Sequence, residues 1–272
     1  MSTVSPYGAA DKHAAVQAMF GRIAGRYDRM NRLMTAGLDG AWRRRTAAAA
    51  GVPAGGVALD VGCGTGDLTL ALAAAAPDAR AVGIDYTAAM LAPAPAKAAR
   101  AGRSAATAFA RADGHRLPFA DDAFDAVASA FVLRNFADHD RAWREMARVV
   151  RPGGRVVALE MCPPTTGPWR LAFALYFQRI VPLLGRLVAG DAGAYRYLPA
   201  STAAFLTPAG VAETIRAAGL TPLPARRLMG GALAIHAGVK PLPYAAPGGG
   251  PPASAPGATG ASGGSATAPA AG

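Results

Sequence analysis

The sequence predicts an α/β protein, a mostly parallel sheet with helices on both faces, on three observations. From Gly51 onward, short apolar runs alternate with longer helical ones, the pattern of strands joined by crossover helices. A glycine-rich turn, Gly62-Cys63-Gly64-Thr65-Gly66, separates one such run from the helix after it. Asp85 and Asp113 then follow the next two runs, so polar groups collect at the strand ends, where open α/β sheets bind ligands.

The elements follow in order. "VALDVG" (57–62) is a buried strand and "DLTLALAAAA" its helix. "AVGID" (81–85) is the second strand, and "TAAMLAPAPAKAAR" a helix weakened by Pro93 and Pro95. "TAFAR" (107–111) makes a weak third strand and "FDAVASAF" (124–131) a fourth. The helix "DHDRAWREMARVV" stops before Pro152 and Gly153, and "GRVVALEM" (154–161) is the fifth strand. Near the end, "ETIRAAG" reads as helix and "LTPLPARRLMGGALAIHAGV" as two strands joined near Gly230 and Gly231. Two helical regions flank this frame, a cap over residues 10–50 and an insertion over 163–207. Within the insertion, "WRLAFALYFQRIVPLLGRLVAG" is the most apolar segment, but Arg170, Gln178, Arg179, Pro182 and Arg186 interrupt it. It fits amphipathic helices over a hydrophobic cleft or on a membrane surface better than a span. Ordinary core-covering helices are the plainer alternative. From Pro241 to Gly272 the chain is mostly Gly, Pro, Ala, Ser and Thr with no Lys, Arg, Asp or Glu. It is expected to be a disordered tail behind a single domain over 1–240.

The net charge of +11 therefore belongs to the part before the tail. Arg22, Arg26, Arg29, Arg32 and Arg43 to Arg45 form one basic stretch; Arg170, Arg179, Arg186 and Arg196 form another. Nucleic acid or an anionic membrane suits such a balance; an arginine-rich proteome also accounts for it. Two cysteines and four scattered histidines give neither a disulfide framework nor metal-ligand spacing, so no metal is expected. "MSTVSPYGAADKH" has no apolar h-region, which points to a cytoplasmic protein.

The glycine turn decides which ligand is expected. A dinucleotide fingerprint counted from Gly62 needs its third glycine where Asp67 stands; the glycines are instead Gly62, Gly64 and Gly66. They let a ligand approach the backbone at the N-terminus of a helix. Asp85 is placed to accept ribose hydroxyls, with Asp113 at the same edge. For any single aspartate a helix cap or turn role is the simpler reading; their coincidence at one edge favours a ligand crevice.

The turn Asp60-Val61-Gly62-Cys63-Gly64-Thr65-Gly66 resembles that of the Rossmann-like class I S-adenosylmethionine-dependent methyltransferases. "MFGRIAGRYDRMNRLMTAGLDGAWRR", "LPFADDAFDAV", "FVLRNFADHDRAWREMARVVRPGG", "AYRYLPAST" and "GGALAIHAGVK" are more specifically similar to the ubiquinone/menaquinone biosynthesis C-methyltransferases, across most of residues 18–240. The resemblance implies a seven-stranded sheet whose last strand is antiparallel, and S-adenosylmethionine as cofactor. Thr65 and Asp85 match positions for its methionine end and ribose, Asp113 and Gly114 those near its adenine, with Asp60, Gly62, Gly64, Gly66 and Ala130 around it. The substrate implied is a polyprenylated benzoquinol or naphthoquinol methylated on a ring carbon. Two departures stand out, Ala130 in place of a serine and Val132 in place of a glycine.

The chemistry asks for a cation beside a ring hydroxyl, because the ring carbon becomes nucleophilic once the quinol ionises. Arg134 is the candidate, with Asn135 orienting the ring oxygen and Tyr27 and Asp28 positioning the quinol or relaying its proton. A structural ion pair is the competing reading of Arg134. His115 and His139 are weaker bases, read as a solvated loop and a helix start; Glu160 is a candidate for the crevice floor. The expected partners are the quinol and, as options, an anionic membrane surface and a second copy of the chain. No nucleic acid is expected, since the fourth strand lacks the Pro-Pro turn of amine methyltransferases and Cys162 is a poor candidate nucleophile. The alternatives kept open are a related methyltransferase on another small aromatic or lipid, and a non-catalytic lipid-binding member of a quinone-synthesis complex.

Overall fold

The computed structural model describes residues 9–164, 167–184 and 192–243. The tail expected from Pro241 lies, from residue 244 on, outside the described residues. A seven-stranded sheet runs in the order β3-β2-β1-β4-β5-β7-β6. Its strands are β1 (Val57–Val61), β2 (Arg80–Asp85), β3 (Thr107–Arg111), β4 (Phe124–Ala130), β5 (Val150–Met161), β6 (Thr221–Leu228) and β7 (Leu233–Val239). Pairings from β3 through β5 are parallel, and β7 runs antiparallel to both β5 and β6. The order reverses between β1 and β4, so the carboxyl ends of these strands open a crevice.

The central strands β1 and β4 are mostly apolar and almost wholly buried, Asp60 and Ser129 being the buried polar exceptions, as a sheet covered on both sides requires. α2 (Asp39–Ala50) and α3 (Asp67–Ala73) cover one face; α6 (His139–Val149) and α10 (Pro208–Ala217) cover the other. Asp138 caps α6 by accepting from the Arg141 amide at 2.9 Å, and Thr207 caps α10. The helix expected over 87–100 is two pieces, α4 (Ala88–Leu91) and α5 (Ala94–Arg100), parted at Pro93. β5 starts at Val150 rather than 154, because the pairing of Phe124 with Val150 carries the strand across an irregularity before Ala126 meets Arg155. Pro222 and Pro224 are tolerated because β6 is an edge strand.

Above the crevice lie α1 (Ala9–Met34), α7 (Gly167–Leu175), a π-helical turn (Tyr176–Ile180), α8 (Val181–Leu184) and α9 (Ala192–Ala203). They share a small core of Met19, Ile23, Met30 and Val181. The cap and the insertion are thus one assembly, although 128 residues of chain (35–162) separate α1 from the insertion. Among the described residues no helix is long and apolar enough to cross a membrane.

Candidate active site

The glycine turn closes between β1 and α3, with Gly62, Gly64 and Gly66 all at positive φ. A Cβ on Gly62 would lie 2.4 Å from the Val132 side chain, so the valine sits in the space that this glycine leaves. Asp85 holds the turn from the neighbouring strand. One carboxylate oxygen accepts from the Gly64 amide at 2.9 Å, the other from the Thr87 amide at 2.8 Å. A carboxylate has about four lone-pair sites, so capacity remains for ligand hydroxyls. Burial pushes the Asp85 carboxyl up, and those two amides pull it back.

Asp60 lies beneath the turn and is fully buried. Its Oδ2 accepts from the Thr69 hydroxyl at 2.7 Å, while Oδ1 has no hydrogen-bond partner among the described groups. Burial pushes its carboxyl up to about 7, opposed by Thr69 and by the Arg43 charge. Asp113 is a turn residue, its Oδ1 bonded to the His115 amide and ring at 2.9 Å. His115, expected in solvent, is instead buried edge-on against Phe136. That ring also lies 2.7 Å from where a Cβ on Gly114 would stand, so Gly114 admits it. Glycine turn, Asp85, Asp113, Gly114 and Ala130 line one cavity of about 100 Å³, walled on its outer side by Val16, Gln17 and Phe20 of α1.

A second cavity of about 580 Å³ opens under α1 and the insertion, lined almost wholly by apolar side chains such as Ile23, Trp42, Phe173 and Phe177. Phe20, Tyr27 and Phe131 border both cavities. Phe131 holds a left-handed conformation (φ 61°), costly for a bulky residue. Its carbonyl accepts from Arg134 Nη1 at 2.8 Å and Asn135 Nδ2 at 3.4 Å.

Arg134 borders the apolar cavity and pairs with Glu160 at 3.0 Å, both buried. The ion pair weighed against a catalytic role is therefore present, and Glu160 lies below the cavity rather than on its floor. Burial pushes the Glu160 carboxyl up, and Arg134 pulls it down. Asn135 Oδ1 accepts from the Tyr197 hydroxyl at 3.1 Å, which brings in a residue of α9 that sequence reasoning missed. Arg43 was missed as well. It is buried, salt-bridged to Asp39, lies 5.7 Å from the centre of the Phe131 ring and borders the apolar cavity. Both lie in stretches that carry the family resemblance, but nothing local says that Arg43 reaches Phe131 or that Tyr197 reaches Asn135. Tyr27 borders both cavities, whereas Asp28 points to the glycine turn, where the Thr65 hydroxyl donates to it at 2.6 Å. His139 opens α6 as expected. Cys162 is buried and its thiol is pushed up by burial, away from the thiolate a nucleophile needs.

The glycine-turn crevice and the apolar cavity thus share Phe20, Tyr27 and Phe131 as a common wall. Residues 9–240 match the ubiE/COQ5 methyltransferase family. The chain belongs to that family. Demethylmenaquinone methyltransferase of Thermus thermophilus is 47% identical over 223 residues, 82% of this chain and 100% of its own length. The protein of that name from Roseiflexus sp. is 45% identical over 235 residues, covering 85% and 95%. This ubiE/COQ5 member is thus an S-adenosylmethionine-dependent methyltransferase. Among solved structures the [4+2]-cyclase SpnF superposes with a TM-score of 0.65 at 20% identity, covering 88% of this chain and all (100%) of its own. That likeness speaks for the fold alone.

Proposed function

We propose that this methyltransferase transfers the methyl group of S-adenosylmethionine to a ring carbon of demethylmenaquinol, a polyprenylated naphthoquinol. The observation that carries the reading is the junction of the two cavities at Phe20, Tyr27 and Phe131. A polar crevice for the donor meets an apolar space of about 580 Å³ for a prenylated ring. The relatives at 45–47% identity bear the demethylmenaquinone name, which favours the naphthoquinol over a benzoquinol.

The residues suit the cofactor. The unpartnered Asp60 oxygen is an acceptor for its ammonium, the glycine turn admits its amino-acid end, Asp85 retains capacity for the ribose, and Asp113 and Gly114 flank the adenine position. When bound, the sulfonium would supply an electrophilic methyl group and would carry the bonding electron pair away on sulfur. The ring carbon becomes nucleophilic as the quinol hydroxyl loses its proton to solvent. Once the methyl group is on, the proton that carbon carried passes back to the oxygen, so one proton leaves in all. Arg134, held by Glu160 and the Phe131 carbonyl, presents a fixed positive charge to that oxygen. Asn135, fixed by Tyr197, orients the ring, and Tyr27 covers the junction.

Leu33, Leu38 and Met229 of the apolar cavity's lining, and Leu171, Leu175 and Leu183 on the helices beside it, are each between 42% and 70% exposed. Exposed Arg29, Arg32 and Arg179 stand on the same helices. This combination supports peripheral docking on an anionic bilayer, from which the prenyl chain enters. The test is methyl transfer to a short-chain demethylmenaquinol kept reduced by dithionite. Expected is methylation of the quinol and none of the quinone. Absence of transfer, or transfer to a phospholipid headgroup instead, overturns the proposal.

A further inference from the structure

The ammonium of Lys97, on α5, stands where α1 meets the glycine turn. It donates to Asp67 Oδ1 at 2.6 Å and to the Thr65 hydroxyl at 2.9 Å, and forms an ion pair with Asp28 Oδ2 at 2.8 Å. The Thr65 hydroxyl in turn donates to Asp28 Oδ1 at 2.6 Å. The ammonium donates to two acceptors and is ion-paired with a third group, the threonine spends its one proton, and both Asp28 oxygens are engaged. Asp28 belongs to α1, whereas Thr65 and Asp67 belong to the glycine turn and the start of α3. Lys97 is only 17% exposed and both aspartates 33%, so this is a shielded network rather than a lone surface pair.

Met19, Ile23 and Met30 of α1 pack with the insertion, and α1 also runs against α4 beside the glycine turn. It walls the cofactor crevice, whose volume of about 100 Å³ falls short of the ~300–1,000 Å³ usual for ligand pockets. We propose that Lys97 is a positioning residue that fastens α1 to the glycine turn, and that undoing this fastening is the step by which the cofactor enters and its product leaves. Asp28 is then the α1 half of the fastener and not a proton relay. The proposal rests on the cofactor reading above, and one arm of its test does not.

That arm is amide hydrogen exchange on the protein without cofactor. In Lys97→Met and in Asp28→Asn, exchange along α1 accelerates about tenfold while α3 and α6 keep their protection. Asp67→Asn, which leaves the link to Asp28, gives a smaller change. The exchanged pair Lys97→Asp with Asp28→Lys restores protection to α1. In the second arm, stopped-flow displacement of S-adenosylhomocysteine shows dissociation about tenfold faster in the first two variants, with the melting temperature within a few degrees of the parent. Unchanged exchange in α1 overturns the fastening. Loss of turnover in Asp28→Asn with α1 exchange and release rates unchanged assigns Asp28 to proton transfer instead, and also overturns it. Failure of S-adenosylhomocysteine to bind the parent protein refutes the cofactor reading, while the exchange arm still decides the role of Lys97.

Discussion

On the sheet, Leu59, Val127 and Val156 are fully buried, and Trp143 of α6 and Ile215 of α10 close over them with 1% of their surface exposed. Under α1 and the insertion, Met19, Ile23, Met30 and Val181 are buried, but a ring of half-buried aromatics, Phe20, Tyr27, Tyr176, Phe177 and Tyr197, surrounds about 580 Å³ of open apolar space. Native interiors are close-packed, with few voids larger than a water molecule. A region that keeps such a volume gives up contacts its side chains would otherwise make. The sheet is built to be stable by itself, and the cap is built to be completed by a ligand. The π-helical turn at Tyr176–Ile180 agrees, since such windings recur at functional sites and this one carries two of the cavity's aromatic rings.

The comparison breaks or sharpens under substitution. The largest effect is expected at Trp143. Truncation to alanine empties the packed face and should cost about 3–5 kcal/mol in denaturant unfolding. A loss below about 1 kcal/mol would mean the sheet is no better filled than the cap.

Next comes Arg134, where the packed floor meets the cavity. Arg134→Gln should lower kcat roughly a hundredfold with affinity for S-adenosylhomocysteine nearly unchanged. It also strands Glu160, a buried carboxylate, and so destabilises. Adding Glu160→Gln should restore the melting temperature but not turnover. Recovery of both would reduce the pair to a structural role.

Asp60 and His236, both on strands of the sheet, respond to pH in opposite senses. The Asp60 carboxyl rises from 3.8 to about 7 on folding, so the native state holds more protons between those values and this group costs stability increasingly as pH rises through them. His236, packed within β7, falls from 6.5 to about 4 and costs stability as pH falls through that window. The two oppose each other. The stability gained by Asp60→Asn should therefore grow from about pH 4 to about pH 7. Binding of S-adenosylhomocysteine near pH 6 should release a proton, read by calorimetry in buffers of different ionisation enthalpy, and Asp60→Asn should release none. A flat stability difference would show that Asp60 is charged throughout.

The smallest effect is expected at Phe177, stacked on Phe173 at 4.2 Å between the rings. Phe177→Ala should raise KM for the quinol several-fold and leave the unfolding free energy within about 1 kcal/mol of the parent. A loss as large as that of Trp143→Ala would show the cavity wall to be core.

Much of the site was legible because its residues are close in sequence and obey local rules. Gly62, Gly64 and Gly66 take positive φ, which glycine alone does at no steric cost, and Asp85 ends a strand recognisable by its apolar run. The prolines at 93 and 95 announced a weak helix, and Pro93 divides it. Phe131 gave no sign, because nothing in a phenylalanine announces a left-handed backbone; the pairing of its amide with the Leu159 carbonyl and of its carbonyl with Arg134 imposes it.

The sequence by itself determined the layered sheet, the glycine turn, the helical cap and insertion, and the family. Each of these depends on periodicity, on turn chemistry or on motifs read along the chain. Only the tertiary structure decided what the charged side chains do. Arg134 faces Glu160, 26 residues away; Lys97 gathers Asp28, Thr65 and Asp67; and Asn135 meets Tyr197, 62 residues on. A side chain's apolar face follows from its position in a helix or strand. Its ionic partner depends on which distant element the packed core brings within hydrogen-bond reach, and no local pattern records that distance.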